Sequence, residues 1–165
     1  MARIAVLDDE ELRNIAQKFL TALRGHEVKT YQSVPEFEGR EDGFEPELII
    51  SDENMPPENG SRWLQRKREE GAEIPVCIAS TLFGKPEELA LLRVFAGDFI
   101  YKDAADFGKR AVEYVRRKLE RPDSLFFYHS DGRIEEIRKC AQKGTEGCGP
   151  CRGYSNENCR TYLIL

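Results

Sequence analysis

The chain has 165 residues, 33% of them charged and 40% hydrophobic, with 25 lysines and arginines against 30 aspartates and glutamates. That mixture excludes a disordered or collagen-like chain, and a net charge of −5 argues against a nucleic-acid binder, which carries a basic excess. No apolar run approaches the ~18 residues of a membrane span. The length suits one ordinary domain with a small appendage.

The first element predicted is a buried parallel strand at Arg3-Ile4-Ala5-Val6-Leu7, closed by Asp8 and Asp9. Leu12, Ile15, Ala16, Phe19, Leu20 and Leu23 then recur at helical spacing, with Gly25 as a stop. A second strand covers Glu27–Tyr31, and a Glu-rich stretch from Ser33 to Glu45 holds a short helix and a loop. Leu48–Ser51 forms a third strand ending at Asp52, and the Pro56-Pro57 and Asn59-Gly60 pairs make the next segment a loop. A helix follows over Ser61–Glu70, with the run Arg66-Lys67-Arg68-Glu69-Glu70 read as a solvated face and Trp63 as core. His26 is read as a surface residue and Cys77 as a small buried hydrophobe.

Ile74–Ala79 is a fourth strand, Pro86–Ala96 a helix opened by proline, and Asp98–Tyr101 a fifth strand. Asp103 is expected to cap a helix carrying Phe107, Ala111, Tyr114, Val115, Lys118 and Leu119, with Arg116-Arg117-Lys118 again a solvated basic face. Five alternations of strand and helix predict an α/β fold, a doubly wound five-stranded parallel sheet. The break at Arg121-Pro122 divides residues 1–121 from a small cysteine-rich module at 122–165, in which Leu125–Tyr128 reads as a strand and Ile134–Gln142 as a helix.

Ligands in such a sheet bind beyond the carboxyl ends of its strands. The polar residues there are Asp8, Asp9, Asp52, Ser80, Thr81 and Lys102. Carboxylates packed together need a counter-charge, which a lysine and a divalent cation supply, and oxygen-only ligands favour magnesium. An aspartate in that setting is a plausible phosphoryl acceptor. A haloacid-dehalogenase-type hydrolase also uses a nucleophilic aspartate, but needs Asp-x-Asp where this chain has Asp8-Asp9-Glu10.

Four segments in order resemble the receiver domain of two-component response regulators over residues 1–120. They are Ile4–Glu10 with its acidic pair, Pro46–Pro56 with its D-x-x-M-P turn, Ile74–Ser80, and Phe95–Lys102. The resemblance implies a flavodoxin-like receiver fold in which Asp52 accepts a phosphoryl group from a histidine kinase or a phosphotransfer protein. It implies Mg²⁺ held by Asp8, Asp9, Asp52 and the backbone carbonyl of Asn54, with Lys102 and Ser80 contacting the phosphoryl group and Ser80 and Phe99 acting as switch residues. Slow self-dephosphorylation, a downstream protein partner and self-association as a homodimer fit the same picture, with output through the fourth helix, fifth strand and fifth helix. Two positions depart from the pattern: Phe95 replaces the usual glycine, and Asp103 stands where many members have proline.

Four of the five cysteines form Cys140-x7-Cys148-x2-Cys151-x7-Cys159. In the cytoplasm, the expected location, clustered cysteines suggest metal or redox chemistry before disulfides. Four thiolates suit Zn²⁺ or an iron–sulfur cluster, and Cys148-Gly149-Pro150-Cys151 weakly resembles a thioredoxin motif. The expected protein is thus a phosphorylation-controlled signalling protein without nucleic-acid or membrane binding. The alternative is an adaptor that never uses phosphorylation and senses metal or redox state through its cysteines.

Overall fold

The computed structural model describes residues 1–8, 25–81, 85–102, 106–139 and 162–164, with 138, 139 and 162–164 described by backbone alone. The predicted helix at 12–23, Asp9, Asp103 and the four C-terminal cysteines lie outside the described residues.

The strands are β1 (Arg3–Leu7), β2 (Glu27–Tyr31), β3 (Leu48–Asp52), β4 (Val76–Ser80), β5 (Asp98–Tyr101), β6 (Ser124–Tyr128), β7 (Ile134–Lys139) and β8 (Tyr162–Ile164). The described helices are α1 (Val34–Glu38), α2 (Gly60–Glu69), α3 (Pro86–Val94) and α4 (Phe107–Glu120). They build a flavodoxin-like sheet in the order β2-β1-β3-β4-β5-β6-β7-β8, parallel from β2 to β6 and antiparallel for β7 and β8. Chain progression reverses between β1 and β3, and the crevice at their carboxyl ends is the natural binding position of this topology.

β1, β3 and β4 are almost wholly apolar because helices cover both faces of the sheet. One core gathers Leu7, Ile49, Trp63, Leu64, Leu92, Phe99 and Phe127 on the α1–α3 side. The other gathers Val6, Ile50, Cys77, Phe107, Ala111, Tyr114, Val115 and Phe126 under α4. Trp63 and Cys77 are core residues as expected. His26 is half-buried, and its Nδ1 accepts a hydrogen bond from the Ala2 backbone at 3.2 Å.

Several expectations are corrected. Among the described residues the sheet has eight strands, not five, because it continues past Arg121: β6 pairs parallel to β5, Phe99 opposite Phe127 and Ile100 opposite Tyr128. Residues 134–139 form β7, not a helix. Ile134 and Ile137 have helical spacing, but the Ser130-Asp131-Gly132 turn folds the segment back on β6, and Glu135 and Glu136 find Arg93, His129, Arg121 and Ser124 there. Tertiary pairing overrides the local pattern. The last helix begins at Phe107, with Asp106 in the N-cap position.

Neither basic run is a simple solvated face. Arg66 and Lys67 pair with Glu38, Glu58 and Glu70, while Arg68 donates to the carbonyls of Phe95, Ala72 and Ile74. Lys118 is buried beside Asp98, its Nζ 3.0 Å from Asp98 Oδ2 and 2.6 Å from the Ser124 carbonyl. Asp98 also accepts from Tyr114 Oη at 3.0 Å and from the Phe126 amide at 2.7 Å, so one carboxylate ties β5, α4 and β6 together. Burial pushes the Asp98 carboxyl above the usual aspartate range despite the opposing pull of Lys118, the Phe126 amide and Tyr114.

The departure at Phe95 has a structural counterpart. The left-handed residue after α3 is Ala96 (φ 51°), and the end is closed by Ala96 N–H to Arg93 O at 3.3 Å and Gly97 N–H to Leu92 O at 2.8 Å. Gly97 supplies closeness instead: a Cβ there would collide with the Leu64 side chain.

Candidate functional site

Asp52 ends β3, and Asp8 directly follows β1 with its amide donating to the Tyr31 carbonyl at 3.0 Å. Lys102 follows β5, and its amide donates to the Ser80 carbonyl at 2.9 Å. Neighbouring parallel strands end at similar heights, so the three side chains meet over the switch point. Lys102 Nζ lies 3.0 Å from Asp8 Oδ2 and 2.9 Å from Asp52 Oδ1. Asp8 and Asp52 are only 4% and 8% exposed, so these pairs operate at lower dielectric than surface ion pairs.

Two carboxylates share one ammonium, leaving one negative charge unbalanced among these three groups. The donors beside that charge are oxygens. This is the chemistry a hard divalent cation takes, and the residues present fit Mg²⁺. Among the described residues, no three acidic, histidine or cysteine side chains form a metal-holding group.

Ser80 is buried at the end of β4, opposite Tyr101 and joined by its backbone to Lys102. Phe99 is buried in β5 between Ile78 of β4 and Phe127 of β6. Asn54 lies exposed on the loop after Asp52, and Thr81 is exposed beyond β4. The structure thus brings Asp8, Asp52 and Lys102 into contact and sets Ser80 beside them.

Sequence reasoning missed how Asp52 is supported. Glu53 is buried; its amide donates to Ala79 O at 3.1 Å, and its carbonyl accepts from Met55 and Gly60. Its carboxylate accepts from the Ser61 amide at 2.9 Å and the Ser61 hydroxyl at 2.7 Å, capping the start of α2, where Asn59 makes no side-chain cap bond. Burial raises the Glu53 carboxyl, against the two Ser61 hydrogen bonds. Gly60 lies so close that a Cβ would overlap the Asp52 carbonyl oxygen and stand 2.9 Å from Ser51 Oγ. The Asn-Gly pair marked a turn; the contact with Asp52, eight residues back, had no local signal.

A family model described as the response regulator receiver domain matches residues 4–116. Among solved structures, the response regulator DrrB of Thermotoga maritima, an OmpR/PhoB homologue, is 24% identical with a TM-score of 0.63. That match covers 84% of this chain and 60% of DrrB, so this chain spans less than two thirds of DrrB's length. The BeF3-activated DrrB receiver domain is 25% identical with a TM-score of 0.58, over 73% of this chain and 99% of that one. The receiver domain of the Francisella response regulator 1452 shares the fold at 21% identity and a TM-score of 0.62, over 74% of this chain and 99% of that one. Comparison with curated proteins gave no match.

Proposed function

Since the chain belongs to the response regulator receiver domain family of two-component systems, we propose that Asp52 accepts a phosphoryl group from a histidine kinase or phosphotransfer protein. The observation that carries this reading is the single ammonium of Lys102 held 3.0 and 2.9 Å from the carboxylates of Asp8 and Asp52.

Lys102 engages Oδ1, so Oδ2 is assigned as the nucleophile. Its lone pair forms the bond to phosphorus as the phosphorus–nitrogen bond of a phosphohistidine breaks, and the bonding pair leaves with the imidazole. The aspartyl phosphate keeps Lys102 as counter-charge, and Ser80 closes on a phosphoryl oxygen. Receiver domains bind Mg²⁺ at this position. Asp8, Asp52 and the Asn54 carbonyl, with Asp9, would hold it, and when bound it supplies charge neutralisation to the transferring group. The buried Glu53 and Gly60 hold the end of β3 so that Asp52 keeps its place beside Lys102.

Acetyl phosphate is the test donor. Intact-mass spectrometry should show one phosphoryl adduct in the presence of Mg²⁺, none with a chelator, and none in Asp52→Asn. A wild-type protein that gains no mass would overturn the reading in favour of a phosphorylation-independent adaptor.

A second reading concerns Cys140, Cys148, Cys151 and Cys159. Lys139 of β7 stands opposite Tyr162 of β8, so the chain leaves and re-enters the sheet at neighbouring points. The spacing of the four cysteines between these points suits four thiolates serving one Zn²⁺ or iron–sulfur cluster. Elemental analysis of the purified protein checks it: about one zinc, or about two to four irons, per chain, lost in Cys148→Ser/Cys151→Ser. A metal-free wild-type protein refutes it.

A further inference from the structure

The edge of β5 is occupied in this chain by β6, and β7 reaches from there to α3. Arg93 of α3 donates from its Nη2 to both oxygens of Glu135 on β7, at 2.7 and 2.8 Å, and its guanidinium lies 5.2 Å from the centre of the Phe127 ring of β6. His129 Nε2 faces the same carboxylate at 3.2 Å. The Arg93 Nε–H is buried without an acceptor. A guanidinium normally meets a carboxylate with two N–H groups in a fork, one to each oxygen. Here one nitrogen serves both oxygens while its neighbour goes unused, an arrangement that costs free energy and calls for an explanation. A small displacement of α3 along β7 would bring Nε onto Glu135 and complete the fork. The closed fork is a second geometry open to the same pair, and two discrete geometries are what a switch element requires.

The geometry points to the β6–β7 hairpin as the built-in output element of this receiver, read through Arg93–Glu135. The inference rests on the phosphoacceptor reading of Asp52. Two connections run from that site to the hairpin. One passes from Lys102 along β5, where Phe99 and Ile100 stand opposite Phe127 and Tyr128. The other passes from Phe99 of β5 to Leu92 of α3, which share one core, and through Arg93 to Glu135. When Asp52 is occupied, α3 shifts, the fork closes, and the hairpin docks more tightly.

Hydrogen exchange read by mass spectrometry on the full chain tests this, with beryllofluoride and Mg²⁺ standing in for the phosphoryl group and fluorine NMR reporting its binding. Exchange across 124–139 should slow by at least about fivefold on binding, the low end of coupling between linked sites. Arg93→Lys keeps the charge but has no second planar donor. It should bind beryllofluoride as the wild type does and leave the hairpin's exchange unchanged. Glu135→Gln should behave likewise, and Arg93→Lys decides the matter if that variant does not fold. Bound beryllofluoride with unchanged exchange at 124–139 in the wild type, or a normal response in Arg93→Lys, overturns the inference alone. Absence of binding together with absence of an acetyl phosphate adduct overturns the phosphoacceptor reading, and this inference with it.

Discussion

Replacing Lys118 by Met leaves the Asp98 carboxylate in the core without its counter-charge. Lys118 Nζ makes two contacts, at 3.0 Å to Asp98 and 2.6 Å to the Ser124 carbonyl, and both residues of the ion pair are essentially inaccessible. Breaking a buried pair by removing one partner costs about 3–5 kcal/mol, because the remaining charge is stranded. For a chain of this length that is a fall in Tm of roughly 10 °C. The loss depends on pH in a defined direction. Burial already raises the Asp98 carboxyl, and removing Lys118 raises it further. A carboxyl whose folded value lies above its unfolded value of about 3.9 contributes its full stability below that point and loses it as pH rises through the folded value. The deficit of Lys118→Met is therefore smallest near pH 4. It grows by up to about 1.4 kcal/mol per pH unit until Asp98 is ionised in the folded state. Urea unfolding followed by the fluorescence of Trp63, the only tryptophan, gives the stability at each pH. Asp98→Asn/Lys118→Met removes the stranded charge and should recover at least about half of the loss. A cost below about 1 kcal/mol at pH 7, an equal cost at pH 4.5 and 7, or a double variant no better than the single one would refute the reasoning.

Other predictions follow from the same geometry. Gly60→Ala forces a methyl against the Asp52 carbonyl and should destabilise by about 1–3 kcal/mol, and it should slow adduct formation with acetyl phosphate. Ala96→Gly relieves a left-handed alanine and should stabilise by about 1 kcal/mol in urea unfolding. Burial raises the Glu38 carboxyl, but hydrogen bonds from Lys67, Arg66 and Trp63 outweigh it and hold the group at about 2. Its contribution is present above the unfolded carboxylate value and is lost as pH falls through about 2, so Glu38→Gln should flatten the acid-unfolding curve between pH 4.5 and 2. An unchanged acid limb would refute that assignment.

The central fold was legible because strongly apolar strands end in acids or lysine. Val6-Leu7-Asp8, Ile50-Ser51-Asp52 and Ile100-Tyr101-Lys102 each announce both a strand and a site residue. The convergence of Asp8, Asp52 and Lys102 followed from parallel topology alone. The hairpin was less legible, since Ile134 and Ile137 satisfy a helical period, whereas in β7 they fall on opposite faces of the sheet, Ile137 in one core and Ile134 against the other. What decides for the strand is a partner strand ten residues earlier and ion pairs to Arg93 and Arg121, which local spacing does not encode. Lys118 read as surface for a similar reason: a lysine in a basic run is usually solvated, and only the fold reveals the aspartate twenty residues upstream that accepts it. Glu53 escaped notice because it caps a helix that begins seven residues later.

Threading α4 between two paired strands has a practical consequence for dissecting this protein. Trimming it at residue 116, where the likeness to the family ends, would cut the helix short of Lys118 and discard the Phe126 amide. Asp98 would keep only the Tyr114 hydroxyl, and the rim of β5 would be stripped bare. A fragment ending there would report on a wounded sheet, whereas one carried through Lys139 would retain the pairing with β6 and the ties to Lys118, Tyr114 and Phe126.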